Sequence, residues 1–298
     1  MEKIESFIGD RPDTLGVFGY GSGIFKQTGY TDKDKPQLDL ILVVDNLKKW
    51  HSMNMKLNKG DYSLLSKATF SLAKDDTLKG STGITYISNI EAYGSVFKYG
   101  TIEINDLIHH LMNWDSYYLA GRFQKLVSTI KSTPLLNDAI EMNRKNALML
   151  ASYLQEKDEV TKSDILITLC GLSYLGDIRK TFKAEKSTKV KDIVTGGYDK
   201  FLDIYDFNTT YSQTEGDIVK LDKEILRYYL KTLPFSLYTY IECYMKEPDE
   251  VIRTKIVEYI TKLNKQESSE QTIEGIFTNG VVDSVAYAAA KLKKGLKK

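Results

Sequence analysis

Apolar residues cluster into short runs in the N-terminal part of the chain. LGVFGYG (from Leu15), LDLILVVD (from Leu38), GITYISNI (from Gly83) and EAYGSVFKYGTIEIN (from Glu91) are rich in β-branched and aromatic residues and bounded by Gly, Asn and Asp. That pattern predicts strands. LKKWHSMNMKLNKGDYSLLSKAT and DLIHHLMNWDSYYLAGRFQKLVSTI instead repeat their apolar residues every three or four positions, which predicts helices. Strands mixed with helices imply an α/β or α+β domain over residues 1–130.

From Pro134 the spacing turns helical. PLLNDAIEMNRKNALMLASYLQ and SDILITLCGLSYLGDIRKTF carry helical periodicity, the second with Ser163 as its expected N-cap. The Gly196-Gly197 pair, a polar loop near 206–216 and a helix LDKEILRYYLKTL stopped by Pro234 complete a mainly helical second domain over 131–247. Beyond it LNKQESSEQT is linker-like. In GIFTNGVVDSVAYAAAKLKKGLKK, Val282, Val285, Ala286, Ala289 and Leu292 share one helical face, and Lys291, Lys293, Lys294, Lys297 and Lys298 crowd the end. A basic amphipathic tail over 248–298 suits an anionic membrane surface, each cation adding about 1 kcal/mol near it. The competing reading is a solvated helix whose lysines complement its dipole.

Composition narrows the partners. With 42% apolar and 27% charged residues in 298, the chain can build ordinary cores. Lys+Arg 41 against Asp+Glu 40 leaves a net charge of +1, so no global field favours nucleic acid and electrostatic partners must be met locally. Cys170 and Cys243 stand isolated, without disulfide or zinc spacing, and read as buried thiols of a reducing compartment. MEKIESFIGDRPDT lacks the apolar core of a secretory signal and the Arg-rich character of a transit peptide. No run approaches the roughly 18 apolar residues needed to cross a bilayer, so the expectation is a soluble or peripheral protein.

The chemistry-bearing stretch is GVFGYGSG followed by QLDLILVVD. A Gly-Ser-Gly turn after a strand lets backbone N–H groups approach a phosphate unhindered, with a serine hydroxyl as further donor. It is neither a Walker loop nor a GxGxxG fingerprint, and alone it could be only a turn. Asp39, opening the next strand, changes the picture. The layout resembles polymerase-β-like nucleotidyltransferases, in which Gly-Ser ends a first strand and an acid-apolar-acid pair on the second holds Mg²⁺. Here Gln37 takes the place of the first acid, so a second carboxylate is expected from elsewhere.

YGSG, LDLILVVD, WHSMNMKLNKGDYS, KYG (Lys98–Gly100), WDSYYLAGRFQK (Trp114–Lys125), GLSYLGDIRK (Gly171–Lys180) and the basic tail together resemble, in order, the mitochondrial-type phosphatidate cytidylyltransferases, also called the mitochondrial translocator assembly and maintenance family. The resemblance covers nearly the whole chain. It implies Mg²⁺-dependent conversion of CTP and phosphatidic acid to CDP-diacylglycerol and pyrophosphate at a membrane surface. It also implies a nucleotidyltransferase domain followed by a winged-helix-like domain, with the nucleotide near their junction. Two features depart from it: Asp61 where a histidine is expected before Tyr-Ser, and no visible presequence, which leaves open a bacterial cytoplasmic face beside the matrix side of the mitochondrial inner membrane.

On this reading Tyr20, Gly21, Ser22 and Gly23 cradle the CTP phosphates and Asp39 ligates Mg²⁺. Lys98, Arg122, Lys125 and Arg179 are candidate phosphate clamps, since guanidinium and ammonium groups suit crowded oxyanions. Asp177, where Gly176 permits a helix break, is a candidate ligand or catalytic carboxylate; a structural pairing with Arg179 is the alternative. Trp50, His51, Asn54 and Asn58 form a polar-aromatic helix face that either contacts cytosine and ribose or faces the core. His109 and His110 have no ligand pattern around them and read as helix surface, and Lys186 and Lys189 either reach lipid phosphate or are solvated. Two other functions stay open: nucleotidyl transfer to another acceptor, such as an RNA end or a small hydroxylated molecule, and a non-catalytic membrane scaffold.

Overall fold

The computed structural model describes residues 1–25, 37–63, 67, 70, 82–176 and 188–279, with side chains as far as 267. Helix α1 (Glu2–Gly9) leads into β1 (Gly16–Tyr20), β2 (Leu38–Val44) and α2 (Leu47–Leu57). A hairpin follows, β3 (Ile84–Ala92) and β4 (Ser95–Glu103), and then α3 (Ile104–Asn113), α4 (Tyr117–Phe123) and β5 (Ser128–Lys131). These strands form a mixed five-stranded sheet in the order β3-β4-β2-β1-β5, with β2 and β4 parallel and the other pairs antiparallel.

Alternation along the strands gives the sheet two faces. Val17, Leu40, Leu42, Phe97 and Tyr99 point to one, covered by α1 and α2 through Phe7 and Trp50; Phe7 stacks on Phe97 with ring centroids 3.9 Å apart. Phe18, Tyr20, Ile41, Val43 and Ile102 point to the other, covered by Leu107 and Leu111 of α3, Leu119 and Phe123 of α4, and Leu136 and Ile140 of the next helix.

That next helix is α5 (Pro134–Tyr153), followed by β6 (Glu159–Thr161), α6 (Lys162–Leu172), α7 (Lys189–Ile204), β7 (Ser212–Glu215), β8 (Ile218–Leu221), α8 (Lys223–Tyr229), α9 (Phe235–Ile241) and α10 (Asp249–Asn279). The three short strands pair in the order β6-β8-β7. The core here takes in Trp114, Tyr117 and Ala120 as well as Ile252, Ile256 and Ile260 of α10, so it joins segments far apart in the chain.

The expected helix over DLIHHLMNWDSYYLAGRFQKLVSTI is three elements. Trp114 adopts the left-handed region at φ 54° and ends α3, while its buried indole donates to Asn143 Oδ1 at 2.8 Å. STI joins the β1 edge as β5, because an unpaired strand edge and an aromatic anchor outweigh local periodicity. The helix expected over 47–69 stops at Leu57, and α6 is capped by Thr161 in a capping box with Asp164, not by Ser163. The polar loop near 206–216 includes β7, and its hairpin to β8 turns near Gly216 (φ 62°). LNKQESSEQT lies within α10: polar Asn264 and Glu267 are buried there with partners in the fold, which composition cannot disclose. The basic stretch from 280 onward lies outside the described residues.

Candidate active site

β1 ends at Tyr20 and releases the Gly21-Ser22-Gly23 turn, closed by Ile24 and Phe25 N–H groups donating to the Gly21 carbonyl at 3.2 and 2.9 Å. Gly21 has φ 77°, a conformation that strains a side chain. A Cβ on Gly21 would lie 3.0 Å from Asp39 Oδ2, and one on Gly23 would lie 2.2 Å from the Gln37 carbonyl oxygen. The turn is therefore pressed against the start of β2, with the Asp39 carboxylate facing its backbone.

Sheet register assembles the rest. Tyr20 pairs with Asp39, and Asp39 pairs with Lys98 on the parallel neighbour, so all three share the face covered by α3, α4 and α5. Lys98 Nζ lies 4.2 Å from the Tyr86 ring centroid, and the Arg122 guanidinium carbon lies 4.4 Å from that of Tyr20. Tyr20 and Tyr118 hydroxyls both reach the Tyr86 hydroxyl, at 3.5 and 3.0 Å. Gly100 makes room for Tyr86, since a Cβ there would meet the ring at 2.6 Å. Burial pushes the Tyr20 hydroxyl up to about 12, against the pull of Lys98, while Tyr118 and Asp39 add to the rise. Tyr20 is thus a neutral donor at physiological pH. The buried Arg122 Nε finds no acceptor among the described residues, which suits an anionic ligand.

Lys125 and Lys189 gather beside this group. Lys125 donates to Ser173 Oγ, and its Nζ lies 4.8 Å from the Tyr174 ring, with Lys189 Nζ 5.2 Å from the same ring. Lys200 of α7 reaches the Phe25 ring at 5.0 Å, directly after the glycine turn. Both halves of the chain therefore meet at the turn. Asp177, Arg179 and Lys186 lie outside the described residues.

The structure does not bring Trp50, His51, Asn54 and Asn58 to this corner. They lie on the opposite face of the sheet and are engaged internally. Trp50 Nε1 donates to the Pro12 carbonyl at 3.1 Å. His51 lies between the Tyr62 and Thr101 hydroxyls at 2.8 and 2.7 Å, and its ring stacks on Phe70. Asn54 donates to the Tyr62 and Tyr99 hydroxyls and receives Asn58 Nδ2. Burial pulls the His51 pKa down to about 3, so the ring is neutral. His109 is exposed and His110 largely buried, and both bond to the Asp115 carboxylate.

The family model for "Phosphatidate cytidylyltransferase, mitochondrial" matches residues 10–294, a span that holds every element of this corner. The chain belongs to this family. It is 33% identical to the protein of that name from Schizosaccharomyces pombe, over 93% of this chain and 79% of the relative. It is 31% identical to that from Rattus norvegicus, over 95% and 91% respectively, and 30% identical to that from Saccharomyces cerevisiae, over 95% and 67%.

Within the family framework, the Asp61 departure has a local explanation. Its carboxylate forms a buried ion pair with Arg11 at 2.6 Å and accepts from the Tyr99 hydroxyl at 3.1 Å. Arg11 in turn donates to the Phe7 carbonyl and lies over the Phe7 ring. Gln37 contributes its backbone carbonyl as the seat for Gly23. No sequence pattern marks Tyr86 or Tyr118 as site residues; the pairing of the Tyr86 strand with Gly100 of KYG places Tyr86 here, and only register reveals it.

Proposed function

We propose that this protein transfers the cytidylyl group of CTP to phosphatidate, yielding CDP-diacylglycerol and pyrophosphate. Family membership over nearly the whole chain supports the reaction class. The observation that carries the site is the alignment of Tyr20, Asp39 and Lys98 across three adjacent strands beneath the glycine turn. A phosphatidate oxygen attacks the α-phosphorus of CTP, the bond to the β-phosphate oxygen breaks, and pyrophosphate departs. The nucleophile is already anionic near neutral pH, so positioning and charge neutralisation carry the step.

In this reading Gly21, Ser22 and Gly23 hold the triphosphate, Tyr20 donates from the floor, and Lys98, Arg122 and Lys125 neutralise phosphate charge. Asp39 holds Mg²⁺. Among the described residues no group of three His, Cys, Asp or Glu could hold a metal. The donor set nonetheless fits this ion, because Mg²⁺ is commonly bound by one or two carboxylates together with substrate phosphates. Asp39 would hold it, and the chemistry supplied is neutralisation of the negative charge that develops as pyrophosphate leaves. Asp177 is the proposed second carboxylate and Arg179 a further clamp. Trp50, His51 and Asn54 are assigned to packing beneath the sheet.

The sheet domain (1–130) is read as polymerase-β-like. The unit over 131–247, with α6, α7 and the β6-β8-β7 sheet, is read as winged-helix-like. The tail (248–298) is proposed to meet an anionic membrane through its basic end, α10 being anchored in the core as far as Glu267. No described helix is long and apolar enough to cross a membrane, in keeping with a peripheral mode. The named relatives are mitochondrial, which favours the inner-membrane reading over the bacterial one. The test is incubation with radiolabelled CTP, Mg²⁺ and phosphatidate vesicles. Lipid-soluble label is expected, and Asp39→Ala is expected to abolish it with an unchanged melting temperature. Nucleotide consumption without phosphatidate dependence would point instead to another acceptor.

A further inference from the structure

Helix α4 carries Tyr118 and Arg122 into the candidate site and leads directly to Lys125, yet it has no side-chain cap of its own: Ser116, at its N-cap, makes none. The cap comes from the far end of the chain. Glu267 of α10 is 5% exposed, and its Oε1 accepts the Tyr117 backbone N–H at 2.7 Å. Two other bonds fix α10 near the same place: Tyr259 hydroxyl to the Trp114 carbonyl at 3.1 Å, and Asn264 Nδ2 to the Leu172 carbonyl at 2.8 Å. Gly176 also abuts α10, since a Cβ there would lie 2.8 Å from the Thr261 carbonyl oxygen.

We infer that Glu267 is a positioning residue for cytidylyl transfer: by capping α4 from α10 it fixes Arg122 and Tyr118 over the Asp39 face. The inference rests on the proposed function for what that face does. Geometry favours a specific role over general packing. The carboxylate meets the start of a short helix whose opposite end holds a charged residue of the site, and a seven-residue helix has little intrinsic stability to hold itself in place. Anionic groups are favoured at such starts by the exposed N–H groups and their dipole. The Ser116 hydroxyl, the Tyr117 and Tyr118 amides and the His110 ring all act on this carboxylate. Burial outweighs them and raises its pKa to about 7, so both protonation states occur near neutrality, and either can accept from Tyr117. Because α10 continues toward the tail, the same contact ties the C-terminal helix to the site.

The test uses the full chain with CTP and phosphatidate vesicles, measuring kcat and KM for CTP together with hydrogen exchange across residues 117–123. Glu267→Ala is expected to lower kcat roughly ten- to hundred-fold, the scale of an ångström-sized misplacement, and to speed α4 exchange. Glu267→Gln, whose amide oxygen still accepts from Tyr117, is expected to restore kcat to within about threefold of wild type, a change smaller than the loss of a whole hydrogen bond would bring. Asp249→Ala, which cuts the Arg227 ion pair at the other end of α10, serves as a destabilised control with kcat retained. Should Glu267→Ala fail to fold, Glu267→Asp, which withdraws the carboxylate by one methylene, is expected to show the same loss in weaker form. Wild-type kcat and α4 exchange in the Ala or Asp variant would overturn the inference, as would an equal kcat loss in Asp249→Ala at matched stability. Absence of lipid label from the wild-type protein would sink the proposed function alone, leaving α4 exchange to decide the role of Glu267.

Discussion

Gly23→Ala probes the corner most directly. The added Cβ would sit 2.2 Å from the Gln37 carbonyl oxygen, more than 1 Å inside the ordinary 3.4 Å contact limit, and 3.0 Å from its carbonyl carbon. A backbone carbonyl directly before β2 cannot swing aside as a side-chain tip would, so the turn must lift from β2. Gly21 and Ser22 would then move relative to Asp39 by about an ångström, a displacement of the order that costs about 10²-fold in rate, or roughly 2.7 kcal/mol of transition-state stabilisation. Overpacking should also lower stability by about 1–3 kcal/mol. The assay is kcat/KM for CTP in the lipid-label reaction, paired with urea unfolding. Gly60→Ala is the control, because a Cβ there meets nothing within 4 Å. Wild-type kcat/KM and an unchanged urea midpoint in Gly23→Ala would refute the claim that the turn is held against the Gln37 carbonyl.

Other expectations follow from buried charge. His51 is held neutral, with a pKa of about 3 against 6.5; the unfolded chain takes the proton first on acidification, so stability should fall between pH 6.5 and 3 by about 1.4 kcal/mol per pH unit. A wild-type urea midpoint no more acid-sensitive than that of His51→Gln would contradict this. Glu267 has the opposite sign: its folded pKa of about 7 exceeds 4.5, so stability is lost as pH rises from 4.5 through 7. Glu267→Gln should therefore be more stable than wild type at pH 8 and lose that advantage by pH 5, measured by thermal melts. Arg11→Met strands the Asp61 carboxylate in a site where both side chains are nearly inaccessible and should cost about 3–5 kcal/mol. Arg11→Met with Asp61→Asn should recover much of that in urea titrations, and a strictly additive double mutant would refute the coupling.

The strands of the first sheet were legible because half-buried strands between turn residues write their burial into alternation and composition. GYGSG and Asp39 were legible as a pair because close backbone approach admits little besides glycine, and an acid at the head of an apolar strand has few structural uses. The break at Trp114, strand β5 and the hairpin near Gly216 were not legible. Each depends on a partner far along the chain: Asn143 for the Trp114 indole, the β1 edge for β5, and β6 and the helices beneath it for the hairpin. The α2 face left two readings open for the same reason. A Trp, a His and two Asn at helical spacing look like a binding face until Tyr62, Tyr99 and Thr101 are found to meet their polar atoms.

By itself, then, the sequence determined the mixed α and β character, the glycine turn beside an acid and, through ordered motifs, the family. Tertiary structure alone decided which face of the sheet each candidate occupies. One residue of register exchanges the two faces, and nothing in local composition states it. Only the folded chain shows that Asp39, Lys98 and Tyr86 share a surface, that His51 lies beneath it, and that Glu267 returns from the far end of the sequence to cap the helix that presents Arg122.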